Sequence, residues 1–287
     1  MMLSWTFGSV TVTCIQESES DVPAGFLIPG LTAERVAEID WLHPDFLGEG
    51  GALRIAIQAL VIRSPGRLIV VDTCLGNEKY GREVPSWNGL QTSFLKDFAA
   101  AGFDRKAVDT VFCTHLHSDH VGWNTMKCGD GWQPTFPNAR YLLGRNEFMF
   151  WDDERKAGRG STPAVFADSI QPLFEVGLVD LIDLPHRVTD DITLFSTPGH
   201  TPGHASVQIR SHGLEALITG DFIHHPCQMA VPTLAEIADN DGVLAGRTRR
   251  QVLETCAGKP ILVIGTHFPR PVAGYVHADG DAFRFEV

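Results

Sequence analysis

The stretch Thr114-His115-Leu116-His117-Ser118-Asp119-His120 packs three imidazoles and a carboxylate directly behind an apolar run, residues 110–114. In extended backbone alternate side chains share a face, so His115 and His117 can reach one cation. The turn that follows aims Asp119 and His120 at a second. Imidazole and carboxylate together suit zinc and its divalent neighbours. Three further candidate ligands follow. His200 lies in Thr197-Pro198-Gly199-His200, where Pro and Gly set a tight turn. Asp221 closes an apolar run through Gly220, and His267 closes the run at 261–264. Each alone is more often a structural residue than a ligand; in order behind the first motif they are not independent. A lone carboxylate placed like Asp221 can bridge two cations about 3.5 to 4 Å apart.

Working outward, residues 54–63 and 67–72 flank Ser64-Pro65-Gly66 and read as a hairpin ending on Asp72. Leu90, Phe94, Leu95 and Phe98 recur at helical spacing, with Gly102 as the stop. Thr162-Pro163 opens a helix through Phe166 and Ile170. Residues 192–196, 216–219 and 261–264 read as strands, 247–255 as a helix, and 272–276 and 283–285 as strands again. Every polar cluster thus sits just past an apolar strand, where α/β folds place their sites. Segment 21–51 mixes apolar residues with Gly and Pro without a clean period. It reads as a loop over the site or as a strand pair on a sheet edge. No linker or low-complexity stretch interrupts the chain, so residues 1–287 are expected to form one domain with two strand-rich halves.

Composition narrows the classes. The chain is 44% hydrophobic with a net charge of −12, and no apolar run approaches the roughly 18 residues of a membrane span. The cationic surface that nucleic acid requires is missing, so neither nucleic acid nor membrane is expected as a partner. The first sixteen residues lack the pattern of a secretion signal. The six cysteines are scattered without CxxC pairs, as in reduced cytoplasmic proteins. The expected partner is a small molecule, and a homodimer is compatible with the sequence.

The ordered set HxHxDH, PGH, GD and TH resembles the metallo-β-lactamase superfamily over residues 72–267. The resemblance implies an α/β fold, an αββα sandwich of two mixed sheets flanked by helices. It implies two metal ions per chain, zinc first, with manganese, cobalt or iron(II) as alternatives. His115, His117 and His200 would hold one ion, Asp119, His120 and His267 the other, and Asp221 both. Asp72 matches the family's early aspartate, which supports the ligand loop without binding metal; His204 is given a similar supporting role.

Among the branches of the family, His117 argues against diiron flavoproteins, which usually carry glutamate there. Asp221 argues against true β-lactamases, which lack it. Glyoxalase II shares the ligands but adds a helical glutathione domain. The closest pattern is the branch of N-acyl-homoserine lactonases and methyl-parathion-type hydrolases. Lactonases of that branch often carry a tyrosine three positions after the bridging aspartate; here that position is His224, which is assigned as the proton donor, with Asp119 orienting the nucleophile. Trp123, close behind His120, is assigned to the substrate. The implied reaction is hydrolysis of a lactone or small carboxylic ester by a metal-bridging hydroxide. The alternatives are an organophosphate triesterase, a thioesterase of the glyoxalase II type and a non-catalytic metal-binding protein.

Overall fold

A strand covered on both faces reads as a continuous apolar run. Leu68 to Val71 and Val111 to Cys113 are such runs, buried throughout. In the computed structural model, which describes residues 2–287, they form neighbouring parallel strands inside a seven-stranded sheet. In chain order the strands are β1 (Ser4–Phe7), β2 (Val10–Val22), β3 (Leu53–Ser64), β4 (Arg67–Val71), β5 (Thr110–Cys113), β6 (Thr125–Cys128), β7 (Gly131–Pro134), β8 (Arg140–Gly144) and β9 (Val179–Ile182). The sheet runs β1-β2-β3-β4-β5-β8-β9, and β6 and β7 form a separate hairpin. The expected hairpin is present as antiparallel β3 and β4, and β4, β5, β8 and β9 then run parallel.

Contact density divides the chain into two units, the first comprising the described residues up to Ser18 together with Ile57–Asp183. Its core is aromatic: Phe94 and Phe98 on the helix Phe94–Ala100 meet Phe103, Phe136 and Tyr141. The helix expected from Thr162 forms, but in three pieces, Thr162–Val165, a π-helical turn Phe166–Ile170, and Gln171–Glu175.

The second unit is Glu19–Ala56 with Leu184–Val287. It carries β10 (His186–Arg187), β11 (Ile192–Ser196), β12 (Ala205–Ser211), β13 (Leu214–Ile218), β14 (Ile261–Ile264), β15 (Ala273–Asp279) and β16 (Ala282–Glu286), paired in sequence order. Only the β13–β14 pairing in this sheet is parallel. The helix Gly242–Cys256 is capped by Asp241, whose Oδ1 accepts the Leu244 N–H at 2.9 Å. Segment 21–51 does not form the expected strand pair; Asp21 and Val22 end β2. It folds into short helical turns, Ala24–Leu27, Ala33–Ala37 and Asp40–Leu42. Its Ile28, Leu31, Val36, Leu42 and Phe46 join the core of this unit. Turns of three to five residues are too short to leave a 3.6-residue period. Among the described residues no helix is long and apolar enough to cross a membrane.

Candidate metal centre

Three adjacent parallel strands deliver the polar residues of the first unit. Asp72 follows β4, Thr114 to His120 follow β5, and Glu147 lies in the first turn of the helix Arg145–Lys156 after β8. Asp72 sits at φ +57°, a left-handed conformation in which aspartate is enriched. Its carboxylate accepts from Thr114 N at 2.7 Å and from Thr114 Oγ1 at 2.9 Å, and His120 Nδ1 lies 2.9 Å away. A carboxylate accepts only, so His120 carries its ring proton on Nδ1 and presents a basic Nε2.

His117 is extended, with φ −64° and ψ 157°, before the helical turn Ser118–Val121. His115 Nε2 and His117 Nδ1 consequently lie 2.9 Å apart on one side, as the spacing implies. Asp119 Oδ2 stands 3.7 Å from His120 Nε2. The loop behind this motif is pressed close: a Cβ on Gly122 would lie 1.8 Å from Leu75 O. Thr73 N donates to His120 O at 2.8 Å, closing the loop against the ligand turn.

In the second unit Asp221 and His267 follow the parallel neighbours β13 and β14, and His200 follows β11. Gly199 has φ +132°, and a Cβ there would meet Ala245 N at 2.3 Å. Only glycine lets the His200 turn approach the helix Gly242–Cys256. Both candidate imidazoles of this unit are oriented through Nδ1: His200 Nδ1 lies 3.0 Å from Asp239 Oδ1, and His267 Nδ1 donates to Ala56 O at 2.8 Å. Their Nε2 atoms face Asp221 Oδ2 at 3.6 Å and 3.2 Å. A lone-pair nitrogen turned on a buried carboxylate oxygen is unfavourable unless positive charge lies between them. That chemistry fits a divalent cation. His204 Nε2 accepts the Asp221 N–H at 2.7 Å while Nδ1 lies 3.0 Å from Thr197 O, so His204 holds the backbone of Asp221.

His224 Nε2 lies 3.1 Å from Asp221 Oδ2 and 3.9 Å from Glu236 Oε2. Its ring stacks on His267 at 5.4 Å, with 2° between the planes. Burial by itself lowers the pKa of His224, but the Glu236 and Asp221 carboxylates outweigh it, and the value is pushed up to about 9. His225 is its opposite. Burial pulls it down to about 4, and its two ring nitrogens serve Phe46 O at 2.9 Å and Cys227 N at 3.1 Å. Two buried groups in this unit, His200 with His224 and Glu236, and Asp221 with His224 and His267, bring their candidate ligand atoms within 4.8 Å of one another.

The first unit therefore gathers His115, His117, Asp119 and His120, and the second gathers His200, Asp221 and His267. Trp123 requires a correction. Its indole is 4% exposed, stacks on Phe94 with centroids 5.6 Å apart, and donates to Glu17 Oε1 at 2.6 Å. It is a core side chain, turned into the aromatic cluster with Phe94. Sequence reasoning missed Asp239, Glu236 and Glu147. Asp239 and Glu236 lie 39 and 36 positions after His200, and Glu147 lies 31 after Leu116, so only the fold brings them together. For Glu147 the one available signal was its place just past an apolar strand.

A family model described as the metallo-beta-lactamase superfamily matches residues 54–255. Among characterised proteins, the N-acyl homoserine lactonase AttM of Rhizobium radiobacter is 28% identical over 177 residues, 57% of this chain and 63% of that protein. The probable metallo-hydrolase YflN of Bacillus subtilis (strain 168) is 26% identical over 152 residues, 49% of this chain and 53% of its own length. The chain thus matches between half and two thirds of the length of these relatives. Among solved structures, the hydrolase AbOPH of the beta lactamase superfamily superposes with a TM-score of 0.81 at 23% identity, covering 99% of this chain and 96% of that one. AidC, described as a dizinc quorum-quenching lactonase in complex with a product, gives 0.80 at 20% identity, with the same coverage. At these identities the superpositions speak to the fold, which is the expected metallo-β-lactamase type with mixed sheets and flanking helices.

Proposed function

Because the chain belongs to the metallo-β-lactamase superfamily of metal-dependent hydrolases, we propose that it hydrolyses a lactone or small carboxylic ester with two divalent ions, zinc foremost. His115, His117 and His200 would hold one ion, Asp119, His120 and His267 the other, and Asp221 both. This treats residues 1–287 as one functional domain. When bound, such a pair of cations lowers the pKa of a water from about 15.7 towards about 7 and polarises a carbonyl.

The chain's own residues supply the rest. Asp72 and Asp239 keep the protons of His120 and His200 on Nδ1, so that Nε2 stays basic. Asp119 orients the attacking water. His224, whose Nε2 points to Asp221, supplies the proton to the leaving oxygen. His204 fixes Asp221 through its backbone N–H. The observation that carries the reading is the carboxylate of Asp221, faced by two imidazoles whose Nδ1 atoms are committed elsewhere. The ester-like substrate rests on the similarity to a lactonase.

The test is an activity screen of zinc-, manganese- and cobalt-loaded protein against lactones, aryl esters, thioesters and phosphotriesters. The expected result is fastest turnover of a lactone or small ester, abolished by chelation. Turnover of phosphotriesters alone contradicts the substrate class, and a doubly loaded protein that cleaves nothing contradicts the enzyme.

A further inference from the structure

We propose that Glu147 and Trp151 are a positioning pair that sets the approach of the His115 and His117 donors to their ion. The proposal rests on the two-ion reading above and adds to it two residues that act through the backbone and ring of the donors. Glu147 is the only buried residue of the helix Arg145–Lys156, at 1% exposure, although it is one of the most polar. A carboxylate turned inward against the pattern of its helix needs compensation. Part of it comes from the first helical turn, where backbone N–H groups favour negative charge. Two donors to one oxygen add to it: Glu147 Oε1 accepts from Leu116 N at 3.0 Å and from the Trp151 indole N–H at 2.6 Å.

Leu116 is the residue between the two ligands. A hydrogen bond to its N–H fixes the peptide that relates His115 to His117, whose Nε2 and Nδ1 lie 2.9 Å apart. Trp151, four residues after Glu147 and so on the same helix face, sets its ring edge-on to His117 with centroids 5.1 Å apart. One carboxylate therefore holds both the backbone between the donors and the indole that limits the rotation of the second donor. The imidazole of His117 gains from packing the orientation that Asp72 gives His120 by hydrogen bonding.

Competition for zinc between the protein and a chromophoric chelator, with the melting temperature of the metal-free protein measured alongside, tests the assignment. Glu147→Ala and Trp151→Ala are each expected to weaken one ion by about 10- to 100-fold, the range for partners that orient a ligand, and to leave the other ion unchanged. Glu147→Gln keeps an oxygen that accepts both N–H groups and is expected to restore affinity close to wild type. If Glu147→Ala binds both ions like the wild type, whatever happens to its melting temperature, the pair is structural only and the proposal is overturned. Should Glu147→Ala fail to fold, Trp151→Phe, which keeps a ring beside His117 and removes only the donor, takes its place. A several-fold weakening supports the proposal, and unchanged affinity overturns it. A wild-type protein that binds a single ion contradicts the two-ion reading but leaves this comparison intact, because it is read on that ion.

Discussion

Four donors of the first unit come from one short loop, His115 to His120, whereas the three of the second unit come from three loops, at His200, Asp221 and His267, after β11, β13 and β14. In the first case covalent spacing brings the side chains together, and supporting contacts from Asp72 and Glu147 refine their approach. Extended backbone puts His115 beside His117, and one carboxylate, Asp72, ties the turn. In the second case chain connectivity places nothing. The geometry depends on parallel pairing of β13 with β14, on Asp239 behind His200, on Ala56 O behind His267 and on His204 behind Asp221. A site assembled from scattered residues draws its precision from supporting contacts, and those contacts are where it is most easily damaged.

The largest effect is expected at Asp221, the donor assigned to both ions. Asp221→Ala should reduce turnover by more than the about 100-fold that loss of a supporting partner reaches, measured as kcat at saturating zinc. A smaller loss would mean that Asp221 is not shared. His224→Ala comes next. If its imidazole protonates the leaving oxygen, alkyl lactones should slow by about 10²- to 10⁴-fold while activated aryl esters change little, compared at equal metal content. Equal losses on both substrate classes would remove His224 as the acid. His225 could not replace it, because both of its nitrogens are engaged and burial keeps it neutral.

The contrast between the units is sharpened by paired variants. Asp239→Asn and Asp72→Asn each alter a carboxylate that orients a ligand imidazole, and each should weaken zinc binding by about 10- to 100-fold. The scattered half should suffer more, because His120 sits in a tight turn beside its neighbouring donors whereas the approach of His200 depends on Asp239, 39 residues further along the chain. A larger loss in Asp72→Asn would reverse the comparison. His204→Ala should have the smallest catalytic effect, showing mainly as about 1–3 kcal/mol of lost stability from the stranded Asp221 N–H, measured by thermal unfolding.

The same contrast governs what the sequence could reveal. The motif from His115 to His120 declares itself because four ligand-type residues at fixed spacing are improbable by chance, and PGH, GD and TH gain meaning only behind it. The strands that carry them were legible as apolar runs ending on polar residues, and β11 and β14 fall at the residues expected. Asp239 was not legible. It lies 39 positions after His200, and only the fold brings their atoms to 3.0 Å. Glu147 was hidden for the same reason. Trp123 was misread because nearness to His120 along the chain does not say which way a ring points, and the core behind the loop claimed it. In segment 21–51 the helical turns were too short to show a period, although their apolar residues belong to a core like any other.

The central claim is that the two sets of donors hold two ions together, and metal content per chain tests it most directly. Elemental analysis of wild-type protein reloaded with excess zinc and freed of unbound metal should give two ions per chain, falling to one or fewer in Asp221→Ala. A wild-type maximum of one ion per chain, however much zinc is supplied, would contradict the account.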